Sequence, residues 1–206
     1  MSNDRDKIGP MFVGGNTGES LVSMVLDQTP YKVYRNIYVK DSTGDICQID
    51  FLLVSDNNII VLEVKNYNNC VIKGDNTGNH WTACYRNKKH TFYNPIKQNM
   101  KHIGILSNCL SEFNIKFFSY IVFTDGCILD YTGSKKNSIK VLKASNLIDV
   151  LIDDCQSGKR ISKQDMIGIK SVLDYFDERT YELSLEHNKY FMSRLEKVGG
   201  SVVSSS

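Results

Sequence analysis

The apolar positions of this chain follow a helical period, then an extended one, then a helical one again. Residues 1–12 are a polar leader expected to be flexible. Asn16-Thr-Gly-Glu-Ser20 then offers a cap, through Asn16 or Thr17, to a helix whose Leu21, Val22, Val25 and Leu26 share one face and which stops near Thr29-Pro30. Tyr31 to Lys40 is rich in aromatic and β-branched residues and predicts a strand, with Asp41-Ser-Thr-Gly-Asp45 as its turn. Ile46–Val54 and Ile59–Val64 are apolar runs separated by Ser55-Asp-Asn-Asn58, the pattern of a β-hairpin. A further short hairpin is expected around Trp81 to Tyr85. Asn94-Pro95 sets a capping side chain and a first-turn proline ahead of Ile96, Met100, Ile103 and Leu110, which recur at helical spacing. Ile115 to Thr124 predicts a strand and Ile139 to Leu142 a short one. Helices over residues 146–154, 162–178 and 181–198 follow, and the small-residue tail 199–206 is expected to be disordered. This order describes an α/β fold with a mixed central β-sheet flanked by helices, one domain over residues 13–180 plus a C-terminal helix.

Composition changes that picture in two places. With 206 residues, 41% hydrophobic and only 3 Pro, the chain can bury a real core. No apolar run approaches the ~18 residues that span a bilayer and the first residues lack a signal-peptide pattern, so no membrane partner and a cytoplasmic location are expected. The six cysteines include no C-x-x-C pair and the four histidines have no ligand spacing, which argues against a disulfide framework and a zinc site. No Ser or Cys has a nucleophile setting. The net charge of +2 hides an asymmetry: residues 1–63 carry 5 Lys/Arg against 9 Asp/Glu, and residues 64–111 carry 7 against 1. The second block also holds Tyr67, Trp81, Tyr85, Phe92 and Tyr93. It reads either as a surface for nucleic acid or as a solvated hairpin with ordinary core aromatics.

The hairpin carries the candidate chemistry. Alternation sets Ile46, Gln48, Asp50, Leu52 and Val54 on one face, with Ile59, Val61, Glu63 and Lys65 on the matching face of the next strand, while the opposite face is wholly apolar. A turn centred between Asp56 and Asn57 brings Asp50 opposite Glu63 and Gln48 opposite Lys65. Opposed residues have Cβ atoms only ~4.5–5.5 Å apart, so two carboxylates there repel unless something compensates. A divalent cation does so, and two carboxylates, a backbone carbonyl such as that of Val64, and waters suit Mg²⁺ or Mn²⁺. With Lys65 alongside, the set is sufficient in outline for phosphoryl transfer. The plainer reading is a Glu63–Lys65 ion pair at a strand end with Asp50 solvated; it leaves the opposition of the two acids unexplained.

Gly18-Glu19, Gln48-Ile49-Asp50, Glu63-Val-Lys-Asn-Tyr67, Trp81, Asn94-Pro95 and Gln98 together resemble the nuclease-related domain (NERD) family of the PD-(D/E)XK nuclease superfamily, over roughly residues 14–128. Ile49 replaces the proline that precedes the aspartate elsewhere in the superfamily. The resemblance implies a restriction-endonuclease-like core of αβββαβ order. It implies that Asp50 and Glu63 bind metal, that Lys65 is the catalytic lysine and that Glu19 reaches the metal or its water, although Glu19 also fits as an acid favoured by a helix N-terminus. Gln98 lies off the apolar stripe of its helix and faces either solvent or the edge of the site. Gln48, Lys88, Lys89 and Lys101 are candidate nucleic-acid contacts, with a solvated face as the alternative for the lysines. The expected activity is Mg²⁺-dependent hydrolysis of DNA phosphodiesters. A non-catalytic nucleic-acid-binding module and a junction-type endonuclease are the alternatives, and a homodimer would suit a cut on both strands.

Overall fold

A computed structural model describes residues 11–133 and 138–199. The expected leader and tail lie largely outside these residues. The elements run α1 (Met11–Leu26), β1 (Lys32–Lys40), β2 (Ile46–Val54), β3 (Asn58–Lys65), β4 (Val71–Gly74), β5 (His80–Cys84), β6 (Lys89–Tyr93), α2 (Pro95–Cys109), β7 (Lys116–Phe123), β8 (Ile128–Tyr131), β9 (Ile139–Lys143), α3 (Leu147–Cys155), α4 (Lys163–Glu178) and α5 (Thr180–Gly199). A five-stranded sheet has the order β1-β2-β3-β7-β9, antiparallel from β1 to β3 and parallel from β3 to β9. The αβββαβ order expected for the core is therefore present, with β4, β5 and β6 inserted before α2.

Three features differ from the sequence expectations. α1 begins at Met11, so Asn16 and Thr17 lie inside the helix rather than capping it. The expected hairpin at Trp81 is part of a second, four-stranded sheet of order β6-β5-β4-β8, so the molecule has two sheets where the pattern suggested one. Strands β4 and β8 have only four residues each, too few to show a period. Finally, alternation along β2 is interrupted. Ile37, Val39, Cys47 and Ile49 are buried in the same cluster as Tyr34, Leu52, Val54, Ile59 and Val61, under α2 and α4. The switch of face falls at Asn36, which has a φ of 51°, and the ladder has no pair there between Arg35↔Phe51 and Ile37↔Ile49. Gln48 and Asp50 are therefore not carried on the face of Leu52 by simple alternation.

Two clusters fill the two faces of the large sheet. α2, α4 and the start of α5 cover the first. α1 and α3 cover Phe51, Leu53, Ile60, Leu62, Phe118 and Tyr120 on the second. A third cluster joins the small sheet to the large one: Ile72, Trp81 and Ala83 pack on Ile121 and Phe123 of β7 and on Ile96 of α2. The Trp81 and Phe123 rings stack with centroids 5.9 Å apart. All six cysteines are free thiols.

Candidate active site

The β2–β3 register is the expected one from Val54↔Ile59 to Phe51↔Leu62, and there the ladder ends. Asp50 and Glu63 are not a ladder pair, and neither are Gln48 and Lys65. Instead Val64 N–H donates to Asp50 Oδ2 at 2.8 Å, a side-chain oxygen taking the place of a strand carbonyl. Beyond this point β2 stays with β1 as far as Ile46, while β3 stays with β7 as far as Lys65↔Phe123. The two strands part like a fork, and the polar residues lie in the opening.

Glu63 is 3% exposed. Its Oε1 accepts from Lys65 Nζ at 2.7 Å and from Gln98 Nε2 at 2.8 Å, and Lys65 Nζ also donates to Gln98 Oε1 at 3.2 Å. Gln98 thus faces the site rather than solvent. The ion pair of the plainer reading is present, but Asp50 is not left solvated. Burial pushes its carboxyl up to about 7, with the nearby Glu63 charge adding to the shift and the Val64 N–H opposing it. Glu63 is also raised by burial, against the pull of Lys65 and Gln98. The Glu19 charge adds a smaller upward push to both acids, so α1 brings Glu19 within electrostatic reach of them. Since α1 begins at Met11, the alternative of a helix N-terminal acid no longer accounts for Glu19.

Two backbone devices bring these side chains together. A Cβ on Gly18 would stand 3.0 Å from both Asn66 Cβ and Thr124 Cγ2, so the absence of a side chain lets α1 lie against the ends of β3 and β7. Thr124 fixes the other wall: its N–H donates to Lys65 O, and its hydroxyl donates to Asn66 Oδ1 and accepts from Tyr67 N–H. At the start of α2, buried Asn94 caps Ile96 N–H through Oδ1, while its amide donates to Asp75 O and Gly78 O. Trp81 Nε1 donates to the same Asp75 carbonyl. Asn94, Pro95 and Trp81 thus set where α2 starts, and Gln98 comes one turn later.

Two residues of α2 join the site without having been singled out by sequence. Asn99 is fully buried and donates to Val61 O and Ser119 Oγ, which bolts α2 to the sheet beside Gln98. His102, one turn beyond Gln98, places Nδ1 3.6 Å from Glu63 Oε2. Burial, with the Lys65 charge adding to it, lowers His102 to about 4, so the ring is neutral near pH 7. The signal was a polar line, Gln98, Asn99 and His102, along an otherwise apolar helix flank.

The remaining candidates lie further out. Gln48 is held from the β1 side, accepting from Tyr38 Oη and donating to Asn36 Oδ1. Lys101 is exposed on α2. Lys88 and Lys89 stand exposed on the turn into β6 in the second sheet, with Lys88 Nζ 5.5 Å over the Tyr85 ring.

Whether these residues suit a cation is decided by unpaired atoms and donor chemistry. Glu63 Oε2 is buried with no hydrogen-bond partner, a condition that costs on the order of 1–3 kcal/mol when nothing relieves it. Among the described residues, no three His, Cys, Asp or Glu side chains group closely enough to hold a metal ion by themselves. Two carboxylates completed by a backbone carbonyl and waters is a donor set for Mg²⁺ or Mn²⁺, which keep several waters, and not for a closed zinc site.

A mixed sheet forking around an Asp/Glu-x-Lys set, with a glutamine supplied by the next helix, defines a restriction-endonuclease-like α/β domain. Residues 14–124, more than half of the chain, match the family model of the nuclease-related domain, NERD, and the chain belongs to that family. An uncharacterized protein of Bacillus anthracis is 34% identical over 136 residues, covering 65% of this chain and 63% of that protein, so the chain spans less than two thirds of this relative. The crystal structure of a protein of unknown function aligns over 86% of this chain and 97% of its own at 14% identity and a TM-score of 0.35. Among the described residues, no helix is long and apolar enough to cross a membrane.

Proposed function

We propose that this protein is a divalent-metal-dependent nuclease that hydrolyses DNA phosphodiester bonds at the β2–β3 fork. The observation that carries the reading is the pair of acids. Asp50 is raised by burial and by the Glu63 charge, Glu63 is raised by burial with the Glu19 charge adding to it, and the Glu63 carboxylate is incompletely paired. Two acids held above their ordinary range around an incompletely paired carboxylate are an arrangement that a bound cation relieves.

In this reading Asp50, Glu63 and the Val64 carbonyl hold Mg²⁺ or Mn²⁺, with Glu19 reaching it directly or through water. When bound, the cation neutralises charge on the phosphate and lowers the pKa of a coordinated water. Lys65 leaves Glu63 to orient the attacking water and offset charge that develops on the phosphate. Gln98, already bonded to both Lys65 and Glu63, keeps the lysine aimed while that exchange occurs. Gln48, Lys101, Lys88 and Lys89 contact the nucleic acid. A homodimer would place two such sites on opposite strands.

The test is cleavage of linear, single-stranded and branched DNA with Mg²⁺, Mn²⁺ or EDTA. We expect metal-dependent cleavage that falls about 10²–10³-fold or more in Asp50→Asn, Glu63→Gln and Lys65→Met. Salt-sensitive DNA binding that is identical in all four proteins, with no cleavage of any substrate, would replace the nuclease by a binding module.

A further inference from the structure

The two sides of the Glu63 carboxylate are treated unequally. Oε1 has two donors, Lys65 and Gln98, whereas Oε2 has none and faces His102 Nδ1 at 3.6 Å. That distance is too long for a hydrogen bond. Both atoms are buried and both lack any partner. A shift of the carboxylate by a fraction of an ångström towards α2 would join them. Such a shift is what the release of Lys65 from Oε1 allows.

We propose that His102 is a positioning residue whose Nδ1–H takes Glu63 Oε2 when Lys65 departs, anchoring one oxygen of the acid while the other turns to the cation. This rests on the reading of Glu63 as a metal ligand. Lys65 and His102 then exchange hold of one carboxylate, so the lysine leaves without a buried, unpaired acid being left behind. A buried donor behind a ligand fixes its orientation, and removing such a donor commonly weakens metal binding about 10- to 100-fold. The imidazole has an electrostatic neighbour outside α2 and β3. His187 of α5 lies close enough to influence its charge, and the ring of Tyr38 meets the ring of His187 edge-on at 5.7 Å. Both His187 and α5 lie beyond the family-matched residues 14–124, so the C-terminal helix contributes to the environment of the site.

The proposal requires the neutral ring of His102 to carry its proton on Nδ1, and ¹⁵N NMR of the full-length, metal-free protein reads this without any substitution. A proton on Nε2 alone overturns it. The second measurement is Mn²⁺ affinity by calorimetry for wild type, His102→Leu and His102→Asn, with thermal unfolding to confirm that each variant folds. The asparagine amide nitrogen takes the place of Nδ1–H, whereas leucine has no donor. We expect His102→Leu to bind Mn²⁺ about 10- to 100-fold more weakly and His102→Asn to stay within a few-fold of wild type. Wild-type affinity in His102→Leu, or equal losses in both variants, overturns the assignment of His102 alone. No Mn²⁺ binding by the wild type, with or without DNA, overturns the metal role of Glu63 and the proposed function with it.

Discussion

Asp50 behaves unlike an ordinary surface carboxylate because two of its surroundings disfavour its charge. Burial is the larger and the Glu63 charge the next, and together they lift it from 3.8 to about 7. A carboxyl whose folded pKa is raised holds its proton more tightly when folded. Its contribution to stability is therefore greatest below pH about 4 and is lost as the pH rises to about 7. His102 works in the opposite sense, its lowered pKa making stability rise with pH between about 4 and 6.5. Comparing Asp50→Asn with wild type cancels the histidine term, and the asparagine oxygen can still accept from Val64 N–H. In EDTA, Asp50→Asn is expected to melt above wild type at pH 8, with the gap shrinking at pH 5. A gap that is flat or reversed across that range, measured by thermal unfolding, would rule out an ionised, uncompensated Asp50. At this scale the residue types were legible: Asp50, Glu63 and Lys65 came from spacing. Asn99 and His102 did not, because a polar residue on an apolar helix flank declares neither its partner nor which strand it meets.

At the scale of elements, what matters is how closely α1 approaches the sheet. Gly18→Ala sets helix propensity against overpacking. Alanine favours the helix by about 1 kcal/mol, while forcing a methyl into a filled gap costs about 1–3 kcal/mol. The neighbours at Gly18, Asn66 and Thr124, are tied to one another by a hydrogen bond at 3.1 Å, so they do not yield easily. The expected result is a net loss of roughly 1 kcal/mol, read as a lower melting temperature, together with weaker metal binding as Glu19 moves with the helix. Gly104→Ala is the control. A Cβ there meets nothing within 4 Å, so the same substitution in exposed α2 should stabilise by up to about 1 kcal/mol. The Gly-Glu dipeptide was visible in the sequence, but the reason for its glycine was not. That reason is a contact with residues 48 and 106 positions further along the chain. The same holds for the fork, where the expected register was right for four pairs and then gave way to a side chain.

For the molecule as a whole, the uneven charge along the chain becomes a question of where the lysines stand. Lys65 is spent inside the site, whereas Lys88, Lys89 and Lys101 are exposed. If Lys88 and Lys89 touch phosphates, replacing both by alanine should flatten the slope of log Kd against log salt for duplex DNA by roughly 2, with cleavage at saturating DNA unchanged. A slope equal to wild type, measured by fluorescence anisotropy, would assign these lysines to a solvated face. The small sheet that carries them is packed onto β7 and α2 through Trp81, Phe123 and Ile96, which ties it to the helix that carries Gln98 and His102.

The αβββαβ order of the core, the first four pairs of the hairpin register and the residue types of the acid–acid–lysine set were legible in the sequence alone, because each depends on periods and spacings of a dozen or so residues. The start of α2 was equally local, written in Asn94-Pro95 and realised as a cap with a proline in the first turn. Tertiary structure decided the remainder. It opened the fork between β2 and β3, turned the faces of β1 and β2 at Asn36, brought Glu19 within electrostatic reach of the acids and aimed Gln98 and His102 at Glu63. Each of these joins residues far apart in the chain, and the energies involved, burial of charge and unpaired buried atoms, exist only once the chain has closed around them.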